Sequence, residues 1–120
     1  MTISQGMTYA LAAALVALAA RAAFAPRGAA LAYGVPAPEG TEPTPYLEVK
    51  ANRDLTLAAL LVVTASASQS ILAGVLFCGA FAPAADAWIV ARHGKISGTP
   101  VHIATVAYMI VAGALAATGH

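Results

Sequence analysis

The sequence predicts an all-α fold: an integral membrane four-helix bundle with a long Pro/Gly-rich loop between its first two helices. Three observations carry that expectation. Of 120 residues, 60% are hydrophobic and only 9% are charged, with a mean hydropathy of +0.78, whereas a soluble domain carries charge on about a quarter of its residues. Apolar runs long enough to cross a bilayer recur, separated by polar or Pro/Gly-rich punctuation. The six Lys and Arg residues all fall at the same ends of those runs.

The elements follow in order, within a single domain spanning residues 1–120. Residues 7–25 are apolar except for Arg21 and would form a helix about 28 Å long, matching a hydrocarbon core of about 30 Å. Met1–Gly6 carries no Lys or Arg, and Arg21 interrupts the small-residue stretch before A-F-A. The run therefore reads as a retained span, not a cleaved signal. Pro26 and Gly28 end it. Residues 26–44 contain Pro26, Pro36, Pro38 and Pro43 among Gly28, Gly34 and Gly40, with Glu39 and Glu42 as acids. This is loop chemistry. Tyr33 and Val35 are out of place in a solvated tether, which points to a packed lid.

Thr44-Pro45 reads as an N-cap followed by proline at the first helical position. From Leu55 to Ala85 no charge appears. One helix of that length would measure about 46 Å, too long for a bilayer, yet two full spans need about 40 residues. The polar run Ser66–Ser70 is the natural turn. The second span then crosses only by including Tyr46–Asp54, which draws Lys50, Arg53 and Asp54 into it. We place the four spans at 7–25, 45–66, 71–92 and 100–118. Pro83 predicts a bend in the third, where it clashes with the Gly79 carbonyl. Thr99-Pro100 repeats the cap-plus-proline start for the fourth. Small residues four apart (Ala10/Ala14, Gly74/Cys78, Gly113/Ala117) would let helices approach closely.

Arg21, Arg27, Lys50, Arg53, Arg92 and Lys95 fall on one side of this threading. The positive-inside rule puts that side in the cytoplasm and both termini outside, with the plasma (inner) membrane as the expected location. A charge at mid-membrane costs about 2.5–3.5 kcal/mol on insertion scales, so charged side chains there turn into the bundle and pair. Lys50, Arg53 and Asp54 share a face of the second helix. Asp86 on the third and the His102, Thr105, Tyr108 stripe on the fourth reach the same end. At about 100° per residue the stripe drifts round the helix, leaving Tyr108 as its weakest member. The candidate polar site is therefore Lys50, Arg53, Asp54, Asp86, His102 and Tyr108, near the cytoplasmic face, with Arg53 expected within ion-pair reach of Asp86. With Thr99 as cap, His102 would sit third in its helix, where the dipole favours the neutral imidazole.

Several classes are excluded or disfavoured. Six basic residues are too few for a nucleic-acid surface. Cys78 is the sole cysteine, so no internal disulfide forms. His93, His102, His120, Asp86 and Cys78 lack paired ligand spacing, so no metal is assigned. No phosphate loop, nucleophile elbow or dinucleotide fingerprint is present, and the sequence names no cofactor.

The blocks G-V-P-A-P (34–38), P-Y-L-E-V-K-A-N-R-D-L (45–55) and D-A-W-I-V-A-R-H-G (86–94) resemble a family of small four-helix integral membrane proteins. The family has bacterial and fungal members and is catalogued as a domain of unknown function. The resemblance implies four helices and a membrane location, and it transfers no activity. Three function classes stay open. One is a membrane-embedded site for an apolar small molecule, whether or not an enzyme. The second is a transport or proton-relay component titrating at Asp54, Asp86 and His102, which would require a homo-oligomer. The third is an accessory protein whose ion pairs only hold the helices together. The lipid bilayer is the partner common to all three.

Overall fold

Alanine- and leucine-rich runs punctuated by Pro, Gly and Ser determine where the helices of this chain begin and end. The structure, a computed structural model, describes residues 1–36, 38, 40 and 44–120. Among the described residues it is all-helical: α1 (Ile3–Phe24), α2 (Pro26–Tyr33), α3 (Thr44–Ala67), α4 (Gln69–Gly79), α5 (Phe81–His93) and α6 (Thr99–Ala117), with a 3-10 turn at Ile96–Gly98. Three helical stretches are long and apolar enough to cross a membrane: Ile3–Phe24, Gln69–His93 and Ile96–Ala117. α3 is as long as these but carries the charges.

Thr2 starts α1 with a capping box, its hydroxyl accepting from Gln5 N while the Gln5 side chain accepts from Thr2 N. Ser68 ends α3 and caps α4, its hydroxyl accepting from Ile71 N. α1 packs against α3, α3 against α4, and α4 and α5 against α6, which returns to α1. Leu61, Leu72, Leu76 and Met109 are fully enclosed at the centre. Charged and apolar residues are placed the opposite way round from a soluble protein. Asp54 and Asp86 keep 5% and 4% exposure, whereas Trp88 keeps 64%. An apolar exterior around paired, interior charges suits a lipid surrounding.

Three expectations need correction. The segment 26–44 is not loop throughout, because Pro26–Tyr33 forms α2. Proline at the first position lacks only an amide that would have been unpaired, and four of the eight residues are alanine or leucine, good helix formers. Gly34 then closes the helix in the left-handed conformation, at φ 99°. Thr99 does not cap α6. The 3-10 turn runs straight into the helix, Gly98 takes the cap position, and Thr99 is already helical. His102 is thus one position deeper than the sequence placed it. At Pro83 the helix is interrupted as that proline leads one to expect: the α4–α5 boundary falls at Ala80, next to the Gly79 carbonyl that Pro83 leaves without an amide, while Ala80 itself keeps helical dihedrals. Lastly, Gly74 has open space where a side chain would be and Cys78 is exposed, so that small pair joins no helices. Gly113 does, because a Cβ there would lie 2.9 Å from the Phe77 ring. Glu39, Glu42 and the Thr44 side chain lie outside the described residues.

At the end that holds the α3–α4 turn and both termini, neutral polar groups interlock. Ser4 Oγ donates to Gln69 Oε1 (2.9 Å), Gln69 Nε2 to Thr2 Oγ1 (3.0 Å), and Gln5 Nε2 to the Ala65 carbonyl (2.8 Å). The Tyr9 and Ser66 hydroxyls meet at 3.0 Å.

Candidate functional site

The opposite end is charged, and α3 supplies most of it. Spacings of three and four residues place Lys50, Arg53 and Asp54 on neighbouring strips of the helix. Lys50 Nζ donates to Asp54 Oδ2. Arg53 forks onto Asp86 of α5, Nη1 to Oδ1 at 3.0 Å and Nη2 to Oδ2 at 2.7 Å. Arg53 Nη2 also lies 3.6 Å from Asp54 Oδ1. The result is one alternating chain, Lys50–Asp54–Arg53–Asp86, in which each buried carboxylate has a cation. A guanidinium matches a carboxylate edge to edge, so the two-point contact fixes the α3–α5 register as well as the charge.

Tyr33, at the end of α2, lies against this chain. Its ring meets the His102 imidazole edge-on at 5.1 Å between centroids, and Lys50 Nζ lies 5.4 Å from its centroid. Burial, and then the Asp86 charge beside it, push the Tyr33 hydroxyl above its ordinary pKa, so it stays a protonated donor. His102 Nε2 lies 3.0 Å from the Tyr33 carbonyl. A carbonyl only accepts, so Nε2 carries the hydrogen.

Three glycines fix Tyr33 in position. The Gly34 carbonyl accepts from Lys95 N at 2.8 Å. A Cβ on Gly94 would fall 2.1 Å from that carbonyl oxygen, and one on Gly98 would fall 2.8 Å from Gly34 Cα. Only bare backbone passes there, so the end of α2 is clamped to the α5–α6 connection. Val90, one turn beyond Asp86 on α5, fills the same contact.

Beneath these groups lies a cavity of about 270 Å³ walled by α1, α2, α3, α5 and α6, near the lower end of small-molecule sites. Its polar wall is Lys50, Arg53, Asp54, Asp86 and His102, joined by Arg21 and Tyr33. Its apolar wall includes Leu11, Leu15, Leu57 and Met109. Five of the six residues singled out from the sequence therefore meet around one space. Tyr108 does not: its hydroxyl donates to the Met7 carbonyl at 3.0 Å, on the α1 side. Thr105 lines the cavity, although its hydroxyl is turned to its own Val101 carbonyl. His93 is exposed.

Two residues of the polar wall stand outside the six named from the sequence, although Arg21 was expected at the same end of the threading. Tyr33 had one signal, an aromatic residue directly before a glycine in an otherwise loop-like segment. Arg21 had one too, a lone cation on an apolar face. Among the described residues no group of three His, Cys, Asp or Glu side chains converges as a metal site.

No curated protein and no solved structure matches the chain. A family model described as "Domain of unknown function (DUF4267)" matches residues 12–116. With that match covering nearly the whole sequence, the chain belongs to the DUF4267 family.

Proposed function

We propose that this protein is a membrane-embedded receptor for a small molecule, held in the cavity at the basic end of a four-helix bundle. In this reading α1, α3, the α4–α5 pair and α6 each cross the bilayer. α3, with 24 residues, spans about 36 Å. Its charges are tolerable because they turn inward and pair. The long axis of the molecule is 50 Å against a hydrocarbon core of about 30 Å, which leaves room for the charged end at headgroup depth. That end carries the basic residues and faces the cytoplasm. A reporter fused after His120 is then expected outside the plasma (inner) membrane, and one in the Gly94–Gly98 turn inside. A cytoplasmic reporter after His120 would contradict the threading.

The observation that supports a site is the space itself. Ion pairs that serve only to hold helices together pack directly against their neighbours, whereas this chain of charges borders an open cavity with an apolar floor. A second reading, in which the charges only fasten α3 to α5, is supported by the complete pairing of Asp54 and Asp86.

Mass spectrometry of the protein released intact from neutral detergent separates the two. A bound small molecule is expected on the wild type and lost from Ala51→Phe, which places a ring in the cavity without touching a charge. The same spectrum for both proteins would favour the fastening role.

A further inference from the structure

The charge on the cavity wall does not balance. Arg21, Lys50 and Arg53 line the cavity together with Asp54 and Asp86, Arg21 from an exposed position at its edge. Arg53 is committed to Asp86 and Lys50 to Asp54. Arg21 has no carboxylate within ion-pair distance among the described residues. Its Nη2 reaches only the Gly28 carbonyl at 3.5 Å, the outer limit of a hydrogen bond. Lys50 Nζ has three hydrogens and gives one to Asp54. Among the described residues the cavity wall thus carries one cation in excess, and donors remain at two of its basic groups.

The apolar wall has a direction. Leu11, Leu15 and Leu18 line it and, at spacings of four and three, form one strip of α1 leading up to Arg21. From Leu11 to Arg21 the helix rises about 15 Å, the reach of a medium-length alkyl chain. A strip of leucines under an uncompensated guanidinium complements a molecule with an anionic head and an apolar tail.

We infer that the ligand class is a single-chain anionic amphiphile, with a carboxylate or phosphate head between Arg21 and Lys50 and its chain along Leu11, Leu15 and Leu18. This rests on the receptor reading above and specifies what that receptor holds. The head replaces the missing counter-charge, and the tail fills space that is otherwise poorly hydrated.

The test uses the full chain in phosphatidylcholine nanodiscs, with thermal unfolding followed in the presence of four probes sharing one tail: decanoate, decyl phosphate, decanol and decyltrimethylammonium. One or both anions are expected to raise the midpoint, and the alcohol and the cation are not. Decanoate against decyl phosphate shows which head is preferred. Arg21→Gln is expected to weaken the anion by about ten- to a hundredfold, the loss of one charge-assisted contact. Arg21→Lys should keep the preference and shows that position 21 tolerates change. Ala82→Phe should abolish the response. Equal shifts from all four probes, no shift with either anion, or an unchanged anion preference in Arg21→Gln would each overturn the inference. If the shifts ignore the head yet vanish in Ala82→Phe, the ligand class is wrong and the receptor reading stands. If Ala82→Phe leaves every shift intact, both fall.

Discussion

The two ends of this molecule are both polar clusters inside an apolar chain, and they are built differently. The neutral end joins Thr2, Ser4, Gln5 and Gln69 directly to one another through bonds of 2.8–3.2 Å. The charged end satisfies its carboxylates just as fully, but around a cavity. Hydroxyls and amides have little to lose on entering lipid once they are paired. Carboxylates and guanidiniums cost far more, so a chain that needed only a fastener could use the neutral kind at both ends. The difference teaches that pairing explains how a charge is tolerated, while adjacent empty space points to use.

The largest expected effect breaks the charged end. Asp86→Asn removes the carboxylate that Arg53 grips at two points, leaving only Asp54 at 3.6 Å, and should cost about 3 kcal/mol, the lower part of the range for a buried pair, because Asp54 remains and the Arg53 side chain is 40% exposed. Arg53→Met combined with Asp86→Leu should recover most of that loss in detergent thermal unfolding. Single variants as stable as the wild type would mean that the α3–α5 pair contributes nothing.

Next comes the glycine clamp. Gly94→Ala forces a methyl group against the Gly34 carbonyl and should cost about 1–3 kcal/mol through overpacking. It should also release Tyr33 from His102, which cross-linking between α2 and α6 would detect as a shortened lifetime of contact. The neutral end should respond more weakly: Ser4→Ala is expected to lose about 1–2 kcal/mol, its two neutral hydrogen bonds to Gln69 and Thr2, without altering a bound molecule at the other end. The smallest effect belongs to Tyr108→Phe, which removes only the bond to the Met7 carbonyl. A loss of bound ligand in Tyr108→Phe would return Tyr108 to the site.

The Arg53–Asp86 contact was legible in the sequence, because an arginine drawn into an apolar helix needs an acid to answer it. Once Lys50, Arg53 and Asp54 were drawn into a helix too short without them, an acid such as Asp86 had to answer. The α3–α4 boundary was legible for a local reason, the polar run Ser66–Ser70, within which Ser68 caps α4. α2 was not, since Pro26 and Gly34 mark loops and helix ends alike, and only tertiary contact decides between them. Nor could Tyr33 be placed from sequence. Its position depends on Gly34 meeting Gly94 and Gly98, about sixty residues later in the chain, and no local pattern encodes that contact. Tyr108 misled through its three-residue spacing, which drifts by a third of a turn over two steps and carries it round to α1.

The most direct test is an experimental structure of the protein extracted with its native lipids. Continuous non-protein density is expected in the cavity, with one end at Arg21 and Lys50 and the other beside Leu15. A cavity closed by direct contact between Leu15 and Met109, with Arg21 turned out to the lipid phosphates, would contradict the account.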